Sequence, residues 1–134
     1  LDKKIINEWK DRGDVDFLGY REDISRLFAD STVVVLPSYR EGFPKVLQEA
    51  AACGRPIVTC DVPGCREAVE DGKNGFLVEP KNSLDLANKI QKIIEDEDML
   101  KHMGIKSRQL AEKEFSIKRI VSRHLEIYSD LLRS

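Results

Sequence analysis

Four consecutive apolar residues, Val33-Val34-Val35-Leu36, run into Ser38-Tyr39-Arg40-Glu41-Gly42-Phe43-Pro44 and then into Lys45-Val46-Leu47-Gln48-Glu49. The β-branched run suits a strand covered on both faces. Pro44 has its φ preset for a first helical position, where its missing N–H costs nothing. A strand that hands the chain straight to a helix start points to an α/β architecture. The same rhythm recurs: strands are expected near 15–18, 32–36, 56–60 and 75–78, separated by helical stretches near 22–29, 44–53 and 64–70. This is the pattern of a doubly wound parallel sheet, Rossmann-like, whose ligands lie outside the carboxyl ends of the strands. The remainder reads as helix. Ser83–Glu95 turns Leu86, Ile90, Ile93 and Ile94 inward, Met99–Lys113 follows, and Ser116 is placed to cap a last helix. The whole chain is read as one domain, 1–134, without repeats or a low-complexity linker.

The turn into the central helix carries the chemistry. Gly42 lets a backbone approach a ligand with no Cβ in the way. The amides of Gly42, Phe43, Lys45 and Val46 lack intrahelical partners, as at any helix start. With the helix dipole, about 0.3–2 kcal/mol, they favour an anion such as a diphosphate, and Lys45 adds a full charge. Glu41 and Glu49 would repel that anion unless occupied otherwise. Ionised carboxylates only accept hydrogen bonds, so sugar hydroxyls are fitting partners, at about 1.5–3 kcal/mol each. A ligand with an anionic middle and hydroxyl-rich ends is a nucleotide-sugar. Val46, Leu47, Ala50, Ala51 and Gly54 form one apolar stripe, with Glu49 on its flank. From spacing alone a plain loop acid at Glu41 and a plain rim residue at Glu49 stay open.

Composition excludes more than it selects. In 134 residues the formal charge is −2, so there is no electrostatic footprint for nucleic acid. No apolar run approaches the roughly 18–20 residues of a membrane span, and no signal peptide is visible. Three cysteines, Cys53, Cys60 and Cys65, form no Cys-x-x-Cys pair and suit reduced thiols. Zinc spacing is absent, and His102 and His124 lie far away, His124 within an apolar stripe of the last helix; no metal is expected. Lys118, Arg119, Arg123 and Arg133 are better read as a solvated helix face than as a contact for acidic headgroups. Neither Gly-x-Gly-x-x-Gly nor Gly-x4-Gly-Lys-[Ser/Thr] occurs, against a dehydrogenase or a P-loop NTPase.

Further blocks follow in order: Ala50-Ala51-Ala52-Cys53-Gly54-Arg55-Pro56, Val62-Pro63-Gly64-Cys65-Arg66-Glu67, and Asp71-Gly72-Lys73-Asn74-Gly75-Phe76. From about Phe17 to the last helix the chain resembles the C-terminal, donor-binding domain of a retaining GT-B glycosyltransferase of family 4, the glycosyl transferases group 1 type. The family's Glu-x7-Glu element matches Glu41 and Glu49. The resemblance implies that Glu41, as the catalytic residue, contacts hydroxyls of the transferred sugar. It implies that Gly42, Phe43 and the neighbours of Pro44 meet the diphosphate beside Lys45, that Glu49 takes the ribose hydroxyls, and that Val46 packs near the ribose. It places Gly19-Tyr20-Arg21 near the base, although for Tyr20 and Arg21 an ordinary connection is an equal reading. Gly64–Glu67 is a weaker candidate, its amides facing the cleft or only capping a structural helix.

The resemblance also implies what this chain lacks. Such domains begin with two earlier strands, a glycine-bearing loop, and an Arg and a Lys that neutralise the departing diphosphate. The sequence starts instead with a helix, Leu1–Lys10, and is read as incomplete at its N-terminus and without the acceptor-binding N-terminal domain. Weak donor affinity, no turnover alone, and self-association are the expectations for such a piece. The expected activity of the parent is transfer of a hexose or N-acetylhexosamine from a nucleoside-diphosphate sugar, with UDP preferred, in surface polysaccharide or glycolipid synthesis. It is placed in the cytoplasm, with peripheral association at the inner membrane face. A GT-B nucleotide-sugar epimerase and a non-catalytic nucleotide-sugar-binding module are the alternatives; the first would act on donor without acceptor.

Overall fold

The computed structural model describes residues 3–16, 18–19, 22–37 and 45–115. Three strands, β1 (Val34–Leu36), β2 (Ile57–Cys60) and β3 (Gly75–Val78), form a parallel sheet in the order β1-β2-β3. Val34 pairs with Ile57, and Ile57 in turn with Gly75. All four residues of β2 are buried, so alternate side chains are covered on both faces, as a central parallel strand requires. The helices, in chain order, are α1 (Lys3–Arg12), α2 (Ile24–Ala29), α3 (Lys45–Ala52), α4 (Ser83–Ile94) and α5 (Glu97–Leu110). The observed class is the expected one, an α/β parallel sheet with helical crossovers.

Several element boundaries differ from expectation. Residues 15, 16 and 18 form no strand; Val15 is 39% and Leu18 47% exposed. A strand needs a backbone partner, and among the described residues none lies beside this segment. The helix expected near 64–70 is a single 3₁₀ turn, Cys65–Glu67. Pro63 and Gly64, with φ 92°, fix its start, and the Ala68 N–H closes onto the Cys65 carbonyl three residues back. Of the α3 stripe, Leu47, Ala50 and Ala51 are buried but Val46 is 39% exposed. In α4, Ile93 is buried and Ile94 is turned out, because neighbours in sequence point about 100° apart. The α-helix expected over Met99–Lys113 begins at Glu97 and gives way to a π-helical turn, Ala111–Phe115. The expected last helix, with Ser116 and His124, lies outside the described residues.

Caps set the helix starts. Asn82 accepts from the Asp85 N–H at 3.0 Å to open α4, and Asp96 accepts from the Met99 N–H at 3.0 Å to open α5. The core runs through Leu47, Ile57, Val58, Cys65, Val78, Ile93 and Met103. Buried Asn74 joins α5 to the start of β3. Its amide donates to the Ala68 carbonyl at 3.0 Å and to Ser107 Oγ at 3.3 Å, and its Oδ1 accepts from the Glu70 N–H at 2.7 Å. The Ser107 hydroxyl donates back to the Asn74 carbonyl at 3.3 Å. No buried group of that side chain is left without a partner, which is the condition for such a network to stabilise a core.

Two glycines are required by close approach. A Cβ on Gly104 would stand 2.6 Å from the Gly54 carbonyl oxygen, so α5 meets the end of α3 backbone to backbone. A Cβ on Gly75 would fall onto the Ile57 carbonyl in the neighbouring strand. Gly75→Ala must therefore displace β3 from β2. A loss of about 3 kcal/mol, read as a lower urea midpoint, is the expected result, at the upper end of ordinary overpacking.

Candidate functional site

In a parallel sheet every strand leaves at the same edge. Here Leu36, Cys60 and Val78 end the strands, and the chain departs through residues 37–44, 61–67 and 79–82. All three strand ends are tied together: buried Thr59 donates its hydroxyl to the Leu36 carbonyl at 2.8 Å, and the Asp61 N–H donates to the Val78 carbonyl at 2.8 Å. The carboxyl edge is thus a stiff platform. Thr59 carried no signal in the sequence beyond its place in a strand, because a threonine there reads equally well as a β-former.

The α3 helix begins at Lys45 and is the next described element after β1. Lys45 and Val46 are exposed, and Glu49 is half-buried one turn further along. Residues four apart lie on one face of a helix, so the structure brings Lys45 and Glu49 to the same side of α3. Leu47, fully buried, anchors the opposite side. Glu41, Gly42, Phe43 and Pro44, together with Tyr20 and Arg21, lie outside the described residues.

The exit of β2 is held by its own ion pair. Arg66 Nε stands 3.0 Å from Asp61 Oδ1, and Nη2 donates to the Asp61 carbonyl at 3.2 Å. Both side chains are about half exposed, so the pair contributes little to stability but fixes the shape of the 61–66 turn. Cys65 is buried beneath it, and Cys60 closes β2. Burial, with Cys65 adding to it, pushes the Cys60 thiol above its ordinary range. All three cysteines are free thiols. Among the described residues, no group of three or more His, Cys, Asp or Glu side chains is gathered to hold a metal ion. No described helix is long and apolar enough to cross a membrane.

Residues 3–110 match the family described as glycosyl transferases group 1. The chain belongs to that family. It is 36% identical over 127 residues to the N,N'-diacetylbacillosaminyl-diphospho-undecaprenol alpha-1,3-N-acetylgalactosaminyltransferase of Campylobacter jejuni, covering 95% of this chain and 34% of that protein. To the capsular polysaccharide biosynthesis glycosyltransferase CapM of Staphylococcus aureus it is 34% identical, over 79% of this chain and 28% of the other. Among solved structures, Anabaena HepE in complex with UDP superposes with a TM-score of 0.83 at 33% identity, covering 96% of this chain and 36% of that one. The HepE complex with UDP-glucose gives 0.82 at 34%. This group 1 glycosyltransferase chain therefore spans about a third of the length of such relatives, and its sheet and helices are those of a GT-B fold.

Two outcomes follow from the carboxyl edge. Thr59→Val keeps the shape and removes the bond to Leu36; a loss of about 1–3 kcal/mol by urea denaturation is expected, since a buried carbonyl loses its donor. The raised Cys60 thiol also sets a sign. The unfolded state gives up that proton first, so stability falls as pH rises through the ordinary thiol range, measurable as a lower urea midpoint.

Proposed function

We propose that this chain is the donor-binding part of a retaining glycosyltransferase that takes a hexose or N-acetylhexosamine from a UDP-sugar. The observation that carries the reading is the start of α3. It stands at the carboxyl edge of a parallel sheet, with exposed Lys45 and half-buried Glu49 one turn apart on one face. That edge is where open α/β sheets bind ligands. Family membership and the UDP complexes of HepE support the same placement.

In this reading Glu49 accepts from the ribose hydroxyls, and the helix start with Lys45 faces the diphosphate. Val46, exposed rather than packed, borders the ribose. Glu41 accepts from hydroxyls of the sugar, with the amides of Gly42, Phe43 and the turn around Pro44 beside the phosphates; Tyr20 and Arg21 border the base. When the glycosidic bond breaks, its electron pair passes to the β-phosphate oxygen. A helix dipole and an ammonium aimed at that oxygen stabilise the developing charge, and groups fixed beforehand need no reorganisation at that moment. No metal takes part in this account. The acceptor hydroxyl and its surroundings belong to a second, N-terminal domain, which closes over the donor.

The process is assigned to surface polysaccharide or glycolipid synthesis on the cytoplasmic side, with the parent enzyme meeting the membrane peripherally. The capsular and diphospho-undecaprenol names of the relatives support it.

The parent enzyme tests the roles. Glu49→Ala is expected to raise the KM for UDP-sugar about tenfold to a hundredfold with a smaller change in kcat, the loss of a charged hydrogen-bond acceptor. Glu41→Ala is expected to lower kcat, because its contact is to the transferred sugar. Titrating the chain with UDP, GDP and ADP, followed by amide shifts, should move Lys45 to Glu49 with UDP first. Full activity of both variants, or UDP shifts away from α3, would refute the assignment.

A further inference from the structure

At the opposite edge of the sheet, where β2 and β3 begin, a groove of about 500 Å³ opens between the 70–74 turn and α5. His102, Lys106, Gln109 and Leu110 come from α5, Lys113 from the π-helical turn after it, and Lys73 from the facing turn. Positions 102, 106, 109 and 113 recur at helical spacing and so present one stripe. A lysine stripe on a lone helix is normally a solvated face. This one differs because a second wall stands opposite and brings a further cation. The only carboxylate among the described lining residues is Glu70, whose Oε2 lies 3.6 Å from Lys73 Nζ.

The walls are also fixed relative to one another. Asn74, at the base of the turn, and Ser107, on α5 between Lys106 and Gln109, exchange two buried hydrogen bonds at 3.3 Å. The two segments that carry the lysines are thus joined to each other through buried side chains. Cations gathered this way repel one another, and a compact dianion relieves that repulsion. Each ammonium offers three donors, which a phosphate's oxygens can share. Leu110 supplies an apolar wall for an organic remainder, and the volume lies within the range of small-molecule sites.

We propose that this groove binds a phosphate-bearing ligand at a site separate from the donor edge. The shared chemistry is a phosphate or diphosphate ester, and its source is either a soluble metabolite or a lipid headgroup. The proposal stands independently of the donor assignment, because the two sites lie at opposite ends of the strands and use different residues.

The test is an amide-shift titration of the 134-residue chain with inorganic pyrophosphate, paralleled by vesicles of phosphatidic acid and of phosphatidylcholine. Shifts at Lys73, His102, Lys106 and Gln109 that weaken with salt are expected with pyrophosphate. Lys106→Glu with Lys113→Glu should raise the Kd about tenfold or more, the loss of charge-assisted bonds. Broadening of the same amides by phosphatidic acid alone would assign the headgroup source, and by neither vesicle the soluble one. Lys106→Gln, which keeps the stem and removes the charge, should weaken binding in the same direction without threatening the fold. No shifts in the groove in any arm, or shifts that survive charge reversal, would overturn the proposal.

Discussion

Parallel pairing of β1, β2 and β3 is the constraint on which the rest hangs. It sends every strand out at one edge and every connection back over a face, so both faces must be covered and β2 must be apolar throughout. It also divides the labour of the two edges. At the carboxyl edge the described exits present exposed Asp61, Arg66 and Glu79. At the amino edge it enters through tight ones held by Asn74, Gly75 and the end of α3.

Electrostatics follow that division. The carboxyl edge carries Lys45 and Glu49 on one side of α3 and the Asp61–Arg66 pair on the next exit, charges of both signs. Such a surface suits a ligand that is itself divided into anionic and hydroxyl-bearing parts. The amino edge, between the 70–74 turn and α5, gathers mainly cations. A net charge of −2 conceals this, because formal charge sums over faces that a ligand meets one at a time.

How much the sequence revealed depended on whether a feature was local. The runs Val33–Leu36 and Gly75–Val78 announced their strands, because burial on both faces leaves a continuous apolar signature. Lys45–Ala52 was legible from Pro44 before it and from its apolar stripe. The family was legible from spaced blocks. Segment 15–18 has the composition of a strand, yet composition cannot supply a partner, and Val15 and Leu18 are about half exposed. Ile94 was misplaced because adjacent isoleucines cannot both face one core. The Thr59 and Asn74 bonds were invisible for a different reason. Each joins segments distant in sequence, and a polar residue in a strand or turn gives no sign of which carbonyl it will meet. Glu49 was located in part: the helix that carries it is present and it is half-buried, while its proposed companion Glu41 lies outside the described residues.

The contact between Gly104 and Gly54 leaves no side chain to act as a cushion. Cushioned helices slide by exchanging rotamers, whereas two backbones in touch must travel together or separate. Arg108 adds a latch across the same joint, donating to the Ala52 carbonyl. The final turn of α3 is thereby clamped, while at its first turn Lys45 and Val46 stay open to solvent. Whatever bends in this helix bends at its N-terminal end, and the strut behind it holds still.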